Sequence, residues 1–365
     1  MSSYFSKNLT EWYKKNKREL PWRQTSDPYK IWVSEIMLQQ TRVDTVIPYY
    51  ERFIKAFPTV HDLAAASQQQ VLKCWEGLGY YSRGRNLHKA AKMISEQYGG
   101  TLPSTYEEIS KLKGIGPYTA AAVLSIAFNQ KYAVVDGNVI RVITRFYGIS
   151  DDIRKTYTKK RVQEIADELI QSSNPGEYNQ AVMELGALIC TPKNPACERC
   201  PISQQCISLQ RMQTDVIPYK SPINKSPHKE IAVGLIVNEN NELLISLRPE
   251  DSMLGGLWEF PGGKKEKNET LRQTVVRELK EELGVDVEVY TKFRDLNHTY
   301  SHFKITMHAF WCKIVNGRPE PKSSTGLVWV SLDSVDQYPF PKANKTLLNS
   351  LKQMEDRNMR RFLVS

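Results

Sequence analysis

The spacing of apolar residues changes once along this chain, and that change constrains the fold more than any other feature. From residue 4 to about residue 207, apolar residues recur with helical spacing in segment after segment, for example over 86–97 and 161–171. Beyond residue 230 the apolar runs are short and strand-like, as over 231–237 and 243–247. The sequence therefore predicts a helical half followed by a mixed α and β half.

The two halves are joined by residues 216–230, which read VIPYKSPINKSPHKE and contain three prolines and no apolar period. This composition is typical of an extended linker. At 365 residues the chain is long enough for two or three domains. We predict a first domain over residues 1–215, a linker over 216–228 and a second domain over 229–365.

The composition and the charge narrow the class of protein. No apolar run approaches the roughly 18 residues that a membrane span needs, so we expect no membrane partner. The first residues have no apolar core followed by a cleavage site, which predicts a cytoplasmic protein rather than a secreted one. The net charge of +10 favours a polyanionic partner such as nucleic acid.

Four of the six cysteines lie close together near the end of the helical half. They are Cys190, Cys197, Cys200 and Cys206, with the spacing C-x6-C-x2-C-x5-C. Four thiolates this close can bind one metal centre, whereas disulfides are rare in a reducing cytoplasm. Spacing alone leaves two interpretations open, a structural zinc site and an iron–sulfur cluster.

Two further features are candidates for DNA binding and catalysis. Gly114 and Gly116 stand at the start of a predicted helix, where backbone N–H groups can approach a phosphate closely. The alternative is an ordinary turn between helices. Glu35 is a charged residue in the apolar segment 31–41, and the alternative there is a buried glutamate with a structural role.

These features together resemble a known superfamily. The cysteine loop over residues 190–206 and the segment LKGIGPYTA are similar to the [4Fe–4S] loop and the helix-hairpin-helix of the endonuclease III superfamily of DNA glycosylases. The segments LPWR, SEIMLQQT and GLGYYSR resemble the adenine-specific MutY family of that superfamily. The resemblance covers residues 4–207 and implies an all-α helix-hairpin-helix glycosylase domain with a [4Fe–4S] cluster. A monovalent cation at the hairpin is a further candidate.

The resemblance implies roles for four catalytic candidates. Glu35 would protonate adenine, and Asp136 would stabilise the positive charge that forms on the deoxyribose as the N-glycosidic bond breaks. Asn138 would assist at the sugar. Tyr118 stands where strand-cleaving members have a lysine that forms a Schiff base, so we predict base removal without an efficient lyase step.

The same resemblance implies contacts with the base and the duplex. The expected contact residues in the first half are Trp22, Arg23, Leu38, Gln40, Thr41, Tyr80, Gly114, Gly116 and Gln180. Gln40 and Tyr80 would insert into the duplex, because the target base must leave the stack before it is cleaved. Trp22, Arg23 and Gln180, with Leu38, would line the adenine pocket.

The second half contains a complete Nudix pattern, G-x5-E-x7-R-E-U-x-E-E-x-G-U with U an aliphatic residue, over residues 263–285. Glu278, Glu281 and Glu282 share one helix face and could hold Mg²⁺. We expect an α+β Nudix-like domain similar to MutT. In the MutY family this domain recognises 8-oxoguanine opposite adenine and its box is usually degraded. This chain keeps every box residue, which leaves hydrolysis of 8-oxo-dGTP open.

Residues 298–303, HTYSHF, resemble the Phe-Ser-His hairpin of the family with Tyr300 in place of Phe. 8-Oxoguanine carries a hydrogen on N7, where guanine has only an acceptor, so an accepting hydroxyl would distinguish the two bases. Ser301 is the candidate for that hydroxyl, Tyr300 is the candidate for stacking, and His302 completes the motif. A polar strand end is the alternative.

The sequence thus predicts a monomeric, bacterial-type, nucleoid-associated enzyme of base-excision repair. Its substrate would be double-stranded DNA with adenine opposite 8-oxoguanine or guanine. Two rival functions remain at this point. The first adds 8-oxo-dGTP pyrophosphohydrolysis by the Nudix box. The second is a non-catalytic DNA-binding protein whose cluster senses redox state.

Overall fold

The structure is a computed structural model of the chain, and it describes residues 2–170, 174–222, 227–300 and 303–354. Contacts divide the chain into two compact units. The first unit comprises Met1–Ala65 and Asn86–Ile223, and the second comprises Ala66–Arg85 and Asn224–Ser365. The stretch 66–85, whose apolar pattern is that of the helical half, therefore belongs to the second unit.

The regular elements are numbered along the whole chain. The helices are α1 (Ser2–Asn16), α2 (Pro28–Leu38), α3 (Val43–Ala56), α4 (Val60–Ala65), α5 (Gln68–Trp75), α6 (Ser82–Gln97), α7 (Tyr106–Ile109), α8 (Pro117–Phe128), α9 (Gly137–Tyr147), α10 (Thr156–Leu169), α11 (Pro175–Leu188), α12 (Ile207–Gln210), α13 (Leu271–Leu283) and α14 (Lys342–Lys352). The strands are β1 (His228–Ile236), β2 (Leu243–Leu247), β3 (Trp258–Glu259), β4 (Gly262–Lys264), β5 (Asp286–Thr299), β6 (Lys304–Asn316) and β7 (Gly326–Val330). Within the described ranges, the strands all lie in the second unit.

Local sequence signals begin and end the helices that carry the candidate site. Asp27 accepts a hydrogen bond from the backbone N–H of Tyr29 (2.9 Å), and Pro28 occupies the first position of α2. At the end of α9, Gly148 adopts φ +64°, and a Cβ there would lie 2.6 Å from Ile207. Only glycine fits this left-handed position without a clash.

The core of the first unit holds α9 and α11 in place. These helices pack with α1 and α10 around an apolar cluster that includes Phe5, Leu9, Phe146 and Leu185, each of which is at most 1% exposed. The rings of Phe5 and Phe146 meet edge to face with centroids 4.9 Å apart. The start of α9 and the inward face of α11 line the candidate site described below.

The second unit contains two sheets. The first has the strand order β4-β1-β6-β5, in which β1 and β6 are parallel and the other pairs are antiparallel. The second has the order β3-β2-β7 and is antiparallel. Along β1, Val233 and Leu235 pack toward the second sheet and α14, whereas Ala232 and Ile236 pack against α13.

This architecture confirms the predicted fold class, an all-α helix-hairpin-helix domain followed by an α+β Nudix-like domain. Over the described parts of the chain, every helix is too short or too polar to cross a membrane. The predicted domain limits at 215, 216–228 and 229 stay predictions.

Candidate active site

A pocket of about 140 Å³ in the first unit collects most of the predicted catalytic and base-pocket residues. Helices α2, α8, α9 and α11 contribute its walls. The predicted residues that line it are Trp22, Arg23, Glu35, Leu38, Thr41, Tyr118, Asp136, Asn138 and Gln180. Because these residues come from distant parts of the sequence, only the folded unit brings them together.

Glu35 lies on α2 and is 4% exposed. The hydroxyl of Tyr118 donates a hydrogen bond to its Oε2 (3.0 Å). Burial is the largest influence and raises the pKa of Glu35 to about 7; the Tyr118 hydrogen bond opposes this rise and the charge of Asp136 adds to it. A carboxyl group with this pKa retains a proton near neutral pH, which is what a general acid requires.

Asp136 is the N-cap residue of α9. Its Oδ1 accepts the backbone N–H of Val139 (2.7 Å), and its Oδ2 accepts the side-chain amide of Asn138 (2.8 Å). Burial raises the pKa of Asp136, while the hydrogen bonds from Val139 and Asn138 lower it. The cap fixes the position of the carboxyl group at the pocket wall.

A chain of hydrogen bonds runs from Asp136 to the start of the cysteine loop. Arg141 Nη2 donates to Asn138 Oδ1 (2.8 Å) and to the carbonyl of Gly186 (2.7 Å). Arg141 Nε donates to the carbonyl of Cys190 (2.6 Å). Arg141 was not predicted, since an arginine inside a helix has no pattern that identifies its partners. It links α9, α11 and the cysteine loop.

Replacing Arg141 with glutamine should destabilise the protein by roughly 1–3 kcal/mol, because the carbonyls of Gly186 and Cys190 lose their charged donor. Denaturant unfolding measures this change. Arg161→Gln is the matched control, since Arg161 forms only an exposed ion pair with Asp151 (3.3 Å) in the described structure, and it should change stability by less than about 0.5 kcal/mol. Equal stability losses would contradict the role given to Arg141.

Two arginines and a buried glutamate form an ion network in the pocket wall. Glu184 is 1% exposed and accepts hydrogen bonds from Arg18 (2.8 and 2.9 Å) and Arg23 (2.9 and 3.0 Å). Burial alone raises the pKa of Glu184, but the hydrogen bonds from both arginines outweigh burial and hold it at about 2. Arg18 and Glu184 were not predicted. A signal was available, because Glu184 interrupts the apolar helix QAVMELGALIC as Glu35 interrupts its own segment.

The hairpin lies beside this pocket. A groove of about 800 Å³ is lined by Gln40, Thr41, Gly114 and Gly116 together with Asp136. Gly114 has φ +80°, and a Cβ there would lie 2.7 Å from the Asn86 side chain. Gly116 caps α8, and a Cβ there would meet nothing within 4 Å. The main chain at the start of α8 is therefore accessible to a phosphate.

The four predicted cysteine ligands are half-buried and line one small cavity with Arg145. Arg145 Nη1 donates to Cys190 Sγ (3.4 Å) and to the carbonyl of Thr191 (2.7 Å). Over the described ranges, no three His, Cys, Asp or Glu side chains are close enough to hold a single metal ion. The four thiols face one cavity, and four cysteine thiolates are the ligand set of an iron–sulfur cluster.

The remaining predicted recognition residues lie in the second unit. Tyr80 and Tyr300 line a cavity of about 480 Å³ within that unit. Tyr300 stacks on Phe303 with ring centroids 4.8 Å apart. Ser301 and His302 lie outside the described residues.

The predicted Nudix glutamates are held in different ways. Glu281 pairs with Arg277 (3.1 Å), which also pairs with Glu278 (3.0 Å). Glu282 accepts the backbone N–H of Gly262 (3.0 Å). Burial and then the charge of Glu259 raise the pKa of Glu282 to about 7. Glu259, a residue that the sequence analysis missed, is therefore an electrostatic neighbour of the box.

Three regions of the chain match models of known protein families. Residues 33–169 match the model of the HhH-GPD superfamily base excision DNA repair protein. Residues 190–206 match the iron-sulfur binding domain of endonuclease III, so the cysteine loop binds an iron–sulfur cluster. Residues 232–350 match the NUDIX domain.

Relatives that match most of the chain identify the family. Adenine DNA glycosylase of Homo sapiens is 34% identical over 90% of this chain and 70% of its own length. Adenine DNA glycosylase of Buchnera aphidicola subsp. Acyrthosiphon pisum is 32% identical over 97% of this chain and 99% of its own length. The structure of a thermostable thymine-DNA glycosylase superposes on 57% of this chain, with a TM-score of 0.54 and 31% identity. This chain belongs to the adenine DNA glycosylase family.

Proposed function

We propose that the protein removes adenine from double-stranded DNA in which the adenine lies opposite 8-oxoguanine or guanine. The observation that carries this proposal is the buried Glu35 with its pKa of about 7, in one pocket with Tyr118 and Asp136. A proton donor and a carboxylate at one enclosed site are what hydrolysis of an N-glycosidic bond requires.

In the proposed reaction, Glu35 donates its proton to adenine. The C1′–N9 bond then breaks, and the electron pair of that bond leaves with the base. Asp136 stabilises the positive charge left on the deoxyribose. Water then adds to C1′, and its proton returns to Glu35. Trp22 and Gln180 bound the pocket that holds the base, and Asn138 keeps Asp136 oriented. No lysine stands at position 118, so the product is an abasic site rather than a cut strand.

The substrate test uses three duplexes, with adenine opposite 8-oxoguanine, guanine or thymine. Alkali converts each abasic site into a strand break that a gel resolves. We expect breaks in the first two duplexes and none in the third. Treatment with borohydride should trap no covalent complex, because Tyr118 cannot form a Schiff base. Intact strands in every duplex would contradict the proposed function.

The excision rate should depend on pH through Glu35. The protonated form is the active one, so the rate is expected to be highest below pH 7 and to fall about tenfold per pH unit above it. Single-turnover rates between pH 5.5 and 9 measure this profile. A rate that rises with pH across this range would assign Glu35 the opposite role, that of a general base.

The second unit is proposed to recognise the base that lies opposite the adenine. Tyr300, stacked on Phe303, offers a ring face to the lesion or its neighbour, and Ser301 is the candidate acceptor for N7–H of 8-oxoguanine. Gln40 and Tyr80 are proposed to insert into the duplex. Their positive φ angles, 55° and 47°, are consistent with side chains held in unusual turns, where Gln40 is exposed and Tyr80 is half-buried.

Further cofactors and the cellular site are also proposals. We assign a [4Fe–4S] cluster to Cys190, Cys197, Cys200 and Cys206. The cluster would stabilise the first unit without taking part in the bond cleavage. A monovalent cation is proposed at the hairpin turn, and DNA affinity compared in potassium and in tetramethylammonium at equal ionic strength tests it. A cytoplasmic, nucleoid-associated location is proposed, because such a site would give the enzyme access to its DNA substrate.

A magnesium site at the Nudix box is proposed for Glu278, Glu281 and Glu282. In the described residues Arg277 pairs with Glu278 and Glu281, and no three carboxylates are close enough to hold one ion, so metal binding requires these side chains to rearrange. Glu259 is an electrostatic neighbour of both Glu278 and Glu282, and a hard cation would offset the repulsion among these carboxylates. Full-length protein with Mg²⁺ and 8-oxo-dGTP tests the rival hydrolase function. The full chain is needed because residues 66–85 are part of the second unit. Release of pyrophosphate would establish the second activity.

A further inference from the structure

The stretch 66–85 consists of α5, a turn and the start of α6, and its turn presents Tyr80. Gly77 and Gly79 have φ angles of 96° and 79°, and Tyr80 itself has φ 47°. A tyrosine adopts this left-handed conformation only where its surroundings hold it there. The contacts around the turn therefore decide where the Tyr80 ring lies.

The stretch is bonded to the Nudix-like fold at two places within the second unit. The first place is the loop before β3. Arg85 Nη1 donates to the carbonyl of Gly255 (2.6 Å), and Gln69 Nε2 donates to the carbonyl of Gly256 (3.0 Å). The indole N–H of Trp258 donates to Gln69 Oε1 (3.1 Å). Bonds to backbone carbonyls fix the stretch against the main chain of the loop.

The second place is the segment before α14. Glu76 Oε1 accepts the backbone N–H of Phe340 (2.9 Å), and the hydroxyl of Tyr81 donates to the carbonyl of the same residue (3.3 Å). Lys73 and Lys345 face Glu76 Oε2 at 2.7 and 3.9 Å. Glu76 is the residue next to Gly77, so it anchors the turn at its first end.

Arg83 supports the turn from inside. It is 8% exposed and donates to the carbonyl of Gly79 (3.1 Å). Its guanidinium carbon lies 5.4 Å from the centroid of the Tyr80 ring and 5.5 Å from that of Trp75. The ring of Tyr80 therefore rests on a side chain that is itself buried in the same unit.

Tyr80 and the hairpin residue Tyr300 line the same cavity of about 480 Å³, together with Phe303 and Arg85. The residue proposed to enter the duplex and the residue proposed to stack near the lesion are thus parts of one unit. Their relative position depends on the bonds described above.

We propose that Glu76 and Arg85 are positioning residues that couple the Tyr80 turn to the Tyr300 hairpin, so that both meet the base opposite adenine together. This inference rests on the proposed function, because it assigns the discrimination between opposite bases to that coupled pair. Glu76 acts at the Phe340 anchor and Arg85 acts at the Gly255 anchor. In the described residues, the lining of the pocket around Glu35 includes neither of them.

The test measures the ratio of single-turnover excision rates for adenine opposite 8-oxoguanine and opposite guanine. We expect Glu76→Ala to lower this ratio by roughly tenfold, since a displacement of about 1 Å can change a rate by as much as about 10²-fold. Glu76→Gln keeps an acceptor for the Phe340 N–H and should retain most of the ratio. Arg85→Ala should resemble Glu76→Ala. Glu107→Ala, which removes an exposed ion pair with Lys111, should leave the ratio unchanged.

Combination with Tyr80→Ala separates coupling from general destabilisation. If Glu76 acts through Tyr80, adding Glu76→Ala to Tyr80→Ala should not lower the ratio further. Independent, multiplying effects, or an unchanged ratio in Glu76→Ala and Arg85→Ala, would overturn the coupling alone. Equal rates on both duplexes for the unaltered protein would overturn the proposed opposite-base recognition and the coupling with it.

Discussion

Replacing Glu35 with glutamine is expected to slow adenine excision by roughly 10²- to 10⁴-fold, the range that a general acid contributes. Glutamine has nearly the same shape and can still accept the hydrogen bond from Tyr118, but its amide N–H is far too weak an acid to protonate the departing base. The single-turnover rate on adenine opposite 8-oxoguanine measures the loss. The dependence on pH attributed to Glu35 should disappear in the same variant.

Two comparisons make this result specific. Glu107→Gln changes an exposed glutamate of the same unit and should keep the full rate. DNA affinity of Glu35→Gln should stay within a few fold of the unaltered protein, because Glu35 is buried and contributes little to binding of the phosphates. An unchanged excision rate in Glu35→Gln would remove the catalytic assignment of Glu35 and give the role of proton donor to another group.

Replacing Asp136 with asparagine is expected to lower the excision rate by roughly 10²- to 10³-fold, as loss of one electrostatic stabiliser of a transition state does. Asparagine is as good an N-cap as aspartate, so α9 should keep its first turn. The free energy of unfolding should change by less than about 1 kcal/mol. The variant therefore isolates the charge of Asp136 from its structural role.

Asp136→Ala provides the contrast, since alanine removes both the charge and the cap. It should lose activity to a similar extent and also lose about 1 kcal/mol of stability, measured by denaturant unfolding. If Asp136→Asn instead kept the full excision rate, the role of residue 136 would be to cap α9 and to orient Asn138. The positive charge on the sugar would then need another stabiliser.

Part of the candidate site could be predicted from the sequence, because some of its residues leave a local signal. Glu35 is a charged residue in an apolar helix, and Gly114 with Gly116 marks the turn before α8. The resemblance supplied Asp136 and Tyr118 by position. The hydrogen bond between Tyr118 and Glu35 joins residues 83 positions apart, and no local pattern predicts such a contact. The same reason explains why Arg141 was missed.

The strands divide in the same way into those that a local sequence pattern predicts and those that it does not. The strand over residues 243–247 was predicted with its observed bounds, because its apolar run is short and flanked by turn residues. β5 extends to Thr299, although its second half is largely polar. Pairing of residues 292–299 with residues 304–310 of β6 defines this half of the strand, and its own sequence pattern does not. β3 and β4, of two and three residues, are too short for any period to identify.

The membership of residues 66–85 in the second unit also has a consequence for the order in which the chain is made. Arg85 leaves the ribosome about 250 residues before Phe340, which supplies one of the anchors of this stretch. At roughly 5–20 residues per second, synthesis separates the two by roughly 10–50 s. Val71, Leu72 and Trp75 are fully buried in the folded protein. During that interval no completed Nudix-like fold is present for them to pack against. The second unit can therefore be completed only after Phe340 has been made, while the helices of the first unit can pack before then.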